Sequence, residues 1–223
     1  MYRELFDELL LDAEDGASTQ QPPKFFILPE WAFDILHEFV YQFQGFCQFR
    51  TALHASAVKH NLLGPVDPNT GEPTLLNNPK APHHIVENVQ TLQQGKDAWA
   101  VETVLYYLHR LVTIGTNPKC TVPAYQYLGI FASVTLSRLE CLLTDYTASL
   151  AAMGPILENQ TVIFKSNEAE STKRPIEVVH GVFAARLSLA YHAAISFFML
   201  RRYKDAVTIL SDICSYMQRG FKV

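Results

Sequence analysis

The sequence predicts an all-α fold, arranged as an α-solenoid-like array of antiparallel helical hairpins of the tetratricopeptide type, with no sheet. Apolar residues recur at three- and four-residue steps along most of the chain, which is the helical period. No alternating strand pattern bounded by turns competes with them, and the run Val162–Phe164 is too short to form a sheet. Two helix–turn–helix junctions also share one residue pattern, which favours repeated hairpins over an irregular helical bundle.

Composition bounds the class of protein. The chain has 223 residues, of which 48% are hydrophobic and 18% charged, so it can form a globular core of one large or two small domains. The net charge of −4 does not favour nucleic acid as a partner of the whole chain. No apolar run is long enough to predict a membrane span, and the acidic N-terminus lacks a signal-peptide pattern. Four widely spaced cysteines indicate free thiols in a reducing compartment, which predicts a cytoplasmic location.

The segment Leu28–Arg50 carries the densest group of aromatic residues and predicts an amphipathic helix. Pro29 suits the first turn, and the helix can continue to about His60 because helix-forming residues follow. The simplest interpretation is a core helix packed on two neighbours. The alternative is that some aromatics meet another protein, since aromatic side chains are enriched at interface cores. The candidates for that protein interface are Trp31, Tyr41 and Phe49.

Further helices are predicted at Tyr2–Glu14, His84–Gln94, Ala98–Ile114, Pro123–Leu143, Tyr146–Leu157, Pro175–Leu200 and Tyr203–Arg219, with Asp97 as an N-cap and Glu158–Arg174 as a loop. The predicted domain organisation has four parts: a short N-terminal helix and linker at 1–24, an anchor helix at 25–60, a Pro-rich surface loop with a short helix at 61–96, and a helical-repeat region at 97–223.

The two similar junctions are Leu143–Tyr146 and Leu200–Tyr203. Each ends one helix, uses two polar residues for the turn and begins the next helix with tyrosine. A small residue follows three positions after each tyrosine, Ser149 in the first copy and Ala206 in the second. Small residues let two antiparallel helices approach closely, which is how tetratricopeptide-like hairpins pack.

No catalytic, cofactor or metal motif is present in the sequence. It contains no Cys-x-x-Cys or His-Glu-x-x-His pattern for zinc, no Gly-rich phosphate loop and no Gly-x-Ser-x-Gly elbow. The histidines His54, His60, His83 and His84 are close in sequence but lack the spacing of a zinc site. The sequence therefore predicts a protein that is not an enzyme and that holds no cofactor or metal.

A compact basic cluster, Arg201, Arg202 and Lys204, lies at the second junction. Cations at a helix C-terminus are favourable on structural grounds alone. The functional alternative is contact with RNA or with an acidic partner, although phosphate binding usually needs a wider basic stripe. Lys173 and Arg174 would widen the cluster if the fold brought them near it.

Several segments, in the same order, resemble the L subunit family of eukaryotic translation initiation factor 3. They are Leu28–Arg50 with its Tyr41–Gln44 run, Trp99–Val112, Leu128–Tyr146, and Met199–Ala206 continuing to Arg219. The resemblance implies a non-catalytic scaffold subunit of the PCI family, built from helical repeats that lead into a winged helix. Since the winged-helix end is absent here, the chain is expected to be a divergent, partial member.

The resemblance also implies the partners. They are other subunits of translation initiation factor 3, above all the E and K subunits, and the small ribosomal subunit through the complex, with no membrane. Two alternatives stay open at this point: a scaffold of another PCI-type complex, of the proteasome-lid or signalosome type, and a helical-repeat protein that binds RNA directly.

Overall fold

Ten α-helices and one two-stranded sheet account for most of the described part of the chain, which confirms the predicted all-α class. The computed structural model describes residues 2–15, 26–69, 71, 73–95, 98–157 and 175–220. The helices are α1 (Tyr2–Asp15), α2 (Pro29–Lys59), α3 (His83–Gln94), α4 (Val101–Gly115), α5 (Pro123–Leu142), α6 (Tyr146–Ala152), α7 (Gly154–Leu157), α8 (Pro175–Gly181), α9 (Phe183–Met199) and α10 (Tyr203–Gly220). The strands are β1 (Leu63–Val66) and β2 (Pro73–Leu75).

The expectation of no sheet is wrong for the Pro-rich segment, where β1 and β2 form an antiparallel hairpin with Leu63 opposite Leu75. Turn chemistry explains it. The carboxylate of Asp67 accepts a hydrogen bond from the Asn69 amide at 2.8 Å, and the Gly71 amide donates to the Asp67 carbonyl at 2.8 Å. Gly71 has a φ of 69°, which glycine adopts without strain. Both strands are edge strands, where proline is tolerated.

Most predicted helices are confirmed, with three differences. The helix predicted at Tyr146–Leu157 is interrupted at Met153, because Pro155 cannot continue the hydrogen-bond ladder. The helix predicted at Pro175–Leu200 is interrupted at Val182, whose φ of −110° and ψ of 101° are extended. α4 begins three residues late because Trp99 has a left-handed φ of 57°. Asp97 and the loop Glu158–Arg174 lie outside the described residues.

The chain divides into two compact units, Met1–Val40 with Leu105–Val223, and Tyr41–Val104. The second unit has its own small core of buried Leu53, Ala57, Leu62 and Val89. Partly buried side chains from the hairpin and from α3 pack against it. The boundaries predicted after residues 24, 60 and 96 are a different, sequence-based division and stay a prediction.

In the first unit, α1 is held by an aromatic cluster. The ring of Phe6 packs edge-on against Phe39 at 4.7 Å between centroids, and its centroid lies 5.4 Å from that of Tyr107. The Tyr107 hydroxyl donates to the carboxylate of Asp7 at 2.7 Å, and burial together with this bond raises the pKa of Tyr107 to about 12. These contacts explain why a short helix ahead of a linker packs on the core.

The helix α5 is buried on every side from Leu128 to Ser137. A helix with no exposed face must satisfy its polar side chains internally. The hydroxyl of Ser133 donates to the Gly129 carbonyl at 3.3 Å, and that of Thr135 to the Phe131 carbonyl at 3.0 Å. The helix is also in close contact with the end of α4. A Cβ added at Gly129 would lie 2.6 Å from the Cα of Gly115, which is too short for a normal contact.

Replacing Gly129 with alanine is expected to lower the free energy of unfolding by about 1–3 kcal/mol, because one of the two helices must shift. Gly45 in α2 is the matched control, since a Cβ there would have no heavy atom within 4 Å. Gly45→Ala should raise stability by about 0.5–1 kcal/mol through helix propensity. Urea unfolding measures both changes, and a Gly129→Ala midpoint equal to that of the unaltered chain would contradict the close contact.

A second prediction concerns the stability of the fold at acidic pH. Burial lowers the pKa of His192 in α9 below its ordinary value of 6.5; a hydrogen bond to the Ser188 carbonyl at 2.7 Å opposes this effect, and the charge of Arg138 adds to it. The unfolded chain therefore takes up the proton at higher pH than the folded chain does. Stability should be complete above about pH 6.5 and fall as the pH drops below that value.

The variant His192→Gln is expected to flatten this decline in denaturant midpoint between neutral and acidic pH. His84→Gln removes an exposed histidine from α3 and serves as the control. A decline equally steep in both variants would show that other groups cause the acid sensitivity.

Candidate protein-interaction surfaces

The two junctions noted in the sequence have the same backbone geometry. Thr144 and Arg201 both adopt the left-handed conformation, with φ of 68° and 62°. The amide after each of them donates to the carbonyl five positions earlier: Asp145 to Glu140 at 3.0 Å, and Arg202 to Phe197 at 2.8 Å. This is the Schellman arrangement that ends a helix and satisfies its last carbonyls. Two helical hairpins, α5–α6 and α9–α10, therefore turn in the same way.

Small side chains join the two hairpins, since α9 packs on both α5 and α6. Three buried serines meet at this contact. The Ser196 hydroxyl donates to that of Ser149 at 3.0 Å, and the Ser149 hydroxyl donates to the Ser137 carbonyl at 2.9 Å. Because each hydroxyl occupies little volume and has a hydrogen-bond partner, three helices can approach closely without an unsatisfied polar group.

The outer face of α10 is apolar and exposed. Tyr203, Val207, Leu210 and Met217 recur at four-, three- and seven-residue steps and form one row, called the α10 stripe below. The first hairpin is buried at the corresponding position. Met153 occupies the position that corresponds to Leu210, seven residues after the junction tyrosine, and it is 0% exposed, whereas Leu210 is 38% exposed. Among the described residues, α6 packs against both α5 and α9, whereas α10 packs chiefly against α9.

The sequence analysis missed the α10 stripe, although its spacing was readable. A wide apolar arc on a helix has the same sequence pattern whether one or two neighbouring helices cover it. Only the position of α9 shows which part of that arc is already in contact: the buried residues Ala206, Ile209 and Ile213 lie beside the stripe on the same helix.

Within the basic cluster at the second junction, Arg202 has contacts of its own. The Arg202 guanidinium pairs with the carboxylate of Asp205 at 2.7 Å and lies over the ring of Phe197, 4.5 Å from its centroid. Arg202 therefore supports the turn. Arg201 and Lys204 are exposed, and Lys173 and Arg174 lie outside the described residues. The contact of this cluster with RNA or an acidic partner stays a prediction.

The three aromatic candidates of α2 are exposed. Trp31, in the first unit, is 65% exposed; Tyr41 and Phe49, in the second, are 57% and 45% exposed. Buried aromatics of the same helix, such as Phe33 and Phe39, belong to the core. The helix therefore has both buried and exposed aromatics, and the contact of the exposed ones with another protein stays a prediction.

The described side chains do not meet the requirements of a metal site. Within the described segments, no group of three or more histidine, cysteine, aspartate or glutamate side chains could hold a metal ion. His83 lies 3.3 Å from the carboxylate of Glu87 in the same helix, which is an ordinary surface pair. Across the segments described, every helix is either too short or too polar to cross a bilayer.

The second unit contains a cleft, called the α2–α3 cleft below, with a volume of about 260 Å³. Side chains of α2, of α3 and of the hairpin line it, among them Arg50, Leu53, His54, Val89 and Leu92. Nothing in the sequence predicts it, because the walls come from three segments that are brought together only by folding.

A family model described as RNA polymerase I-associated factor PAF67 (Paf67) matches residues 1–223. The chain belongs to the Paf67 family. Among its relatives are proteins named eukaryotic translation initiation factor 3 subunit L. Those of Emericella nidulans and Aspergillus niger are each 25% identical over 236 residues, covering 98% of this chain and 40% of the relative. That of Botryotinia fuckeliana is 25% identical over 223 residues, covering 92% of this chain and 38% of the relative.

These relatives confirm the resemblance noted from Leu28–Arg50 and the later hairpins. This Paf67-family chain spans about 40% of the length of the curated relatives it matches. The described surfaces therefore correspond to one part of those proteins.

Arg202→Ala is expected to lower the free energy of unfolding by about 1 kcal/mol, because it removes both the pair with Asp205 and the contact with the Phe197 ring. Lys204→Ala, at an exposed neighbouring position, should stay within about 0.5 kcal/mol of the unaltered chain. Chemical unfolding compares the two. Equal stability of both variants would mean that Arg202 is free for an external partner.

Proposed function

We propose that the chain is a non-catalytic scaffold subunit of eukaryotic translation initiation factor 3, which assembles with sister subunits and helps to form the initiation complex on the small ribosomal subunit. The observation that carries the proposal is the α10 stripe. Val207 is 61% exposed and Leu210 is 38% exposed, although they belong to a row of apolar side chains on a well-formed helix. Contiguous exposed apolar surface of this kind marks sites of protein association.

The names of the relatives support the choice of complex, and the fold supports the scaffold role. Stacked helical hairpins bury only the faces between them, so each array offers long outer faces to partners. Following the resemblance, we assign the E and K subunits as the first partners and the cytoplasm as the location. Trp31, Tyr41 and Phe49 are assigned as further partner contacts on α2.

The experiment is recovery of sister subunits with the tagged chain from cells. Val207→Glu with Leu210→Glu places two charges in the stripe and should lower recovery of factor 3 subunits about tenfold or more, since burial of an unpaired charge is costly. Thr208→Glu with Ser211→Glu adds the same charge on the polar side of α10 and is the matched control. Circular dichroism verifies that both variants keep their helix content.

The partners recovered by the unaltered chain decide among the alternatives. Recovery of proteasome-lid or signalosome subunits, or of RNA polymerase I as the family description suggests, would replace factor 3 in the proposal. Recovery of RNA alone, abolished by Arg201→Glu with Lys204→Glu, would favour the RNA-binding alternative. Full recovery of factor 3 subunits by the stripe variant would exclude the α10 stripe as the assembly surface.

A further inference from the structure

We propose that the α2–α3 cleft binds a short acidic and apolar peptide segment of a partner protein, with one aliphatic or aromatic side chain in the cleft and a neighbouring carboxylate on Arg50. The inference deepens the proposed scaffold function and rests on it only for the identity of the partner protein. The binding itself can be measured with the purified chain.

One face of α2 builds half of the cleft. Arg50, Leu53, His54 and Ala57 follow each other at three- and four-residue steps and so lie on one side of the helix. Leu53 and Ala57 are buried and form an apolar floor, whereas Arg50 and His54 are exposed at the rim. The cleft therefore has an apolar floor with Arg50 and His54 at one edge, and an apolar site with a few polar groups is the usual arrangement of a ligand site.

The opposite walls are held in place by hydrogen bonds. The side-chain amide of Gln93 in α3 donates to the Pro73 carbonyl of β2 at 3.3 Å, and the side-chain amide of Asn78 donates to the His60 carbonyl at 2.7 Å. These bonds attach the hairpin to α3 and the segment after it to the end of α2. A site whose walls are fixed before binding loses less conformational entropy when a ligand enters.

Size and charge select the ligand class. At about 260 Å³ the cleft is smaller than sites for drug-sized ligands, which measure about 300–1,000 Å³, so it suits one large side chain. Its lining contains Arg50 as a permanent cation and no carboxylate. Among the described residues no ion pair of Arg50 is found, so its planar donor fork is available for a carboxylate. An acidic residue next to a leucine or phenylalanine satisfies both requirements.

The test uses the purified full chain labelled with nitrogen-15 and a blocked peptide of two glutamates followed by leucine and phenylalanine. Saturable shifts are expected for the backbone amides of cleft residues, including Leu53, Val89 and Leu92. A peptide with serines in place of the two apolar residues, and another with glutamines in place of the glutamates, should each bind about tenfold more weakly or not at all.

Arg50→Glu is expected to weaken binding of the glutamate peptide about tenfold or more, because it replaces the attractive charge with a repulsive one. Lys80→Glu is the matched control: it makes the same charge change at an exposed position that does not line the cleft, and it should bind as the unaltered chain does. If both variants bound the peptide equally weakly, the net charge of the chain would explain the loss of affinity, and the proposal would be overturned. Shifts confined to residues outside the cleft, or the absence of saturable shifts, would also overturn it.

The two proposals fail separately. If the unaltered chain recovers factor 3 subunits from cells but does not bind the peptide, the cleft proposal is wrong and the scaffold function stands. If the peptide binds at the cleft but no factor 3 subunit is recovered, the cleft proposal stands and the partner protein must be sought elsewhere.

Discussion

The burial of α5 on all sides is the constraint on which the first unit depends. A helix without an exposed face must lose its polar side chains or satisfy them within the core, and the buried hydroxyls of Ser133, Thr135 and Ser137 are all hydrogen-bonded. It must also allow its neighbours to approach closely, as Gly129 does for the end of α4. The small residues of this region are therefore required by geometry, and larger side chains would separate the helices.

The hairpin α5–α6 and the hairpin α9–α10 have the same turn and different surroundings. Equal backbone geometry at Thr144 and Arg201 shows that the turn is a local property of the chain. What differs is the exposure of corresponding side chains: Met153 is buried, whereas its counterpart Leu210 is exposed. The outer faces of stacked helical hairpins are the surfaces on which helical-repeat proteins bind their partners.

Two arginines of this protein have different local surroundings. Arg202 has an acidic residue and an aromatic ring of its own at the turn, so its charge supports the fold. Arg50 has no ion-pair partner among the described residues and stands at the rim of an apolar cleft. The two residues are of the same type, but their surroundings differ: Arg202 has partners within the fold, whereas Arg50 lines a cleft. Net charge and short basic runs therefore do not show which arginine already has a partner within the fold.

The sequence by itself determined most of the helices, because the apolar period of α2, α5 and α10 is a local property of the chain. It also determined the repeated turn and the family. It did not predict the hairpin within the Pro-rich segment, where hydrogen bonds of Asp67 and Gly71 form the turn. It also did not predict the interruptions of the helices at Met153 and Val182. Tertiary structure alone decided which aromatics and aliphatics stay exposed and which segments enclose a cleft. The physical reason is that exposure depends on neighbours distant in sequence, which no local pattern records.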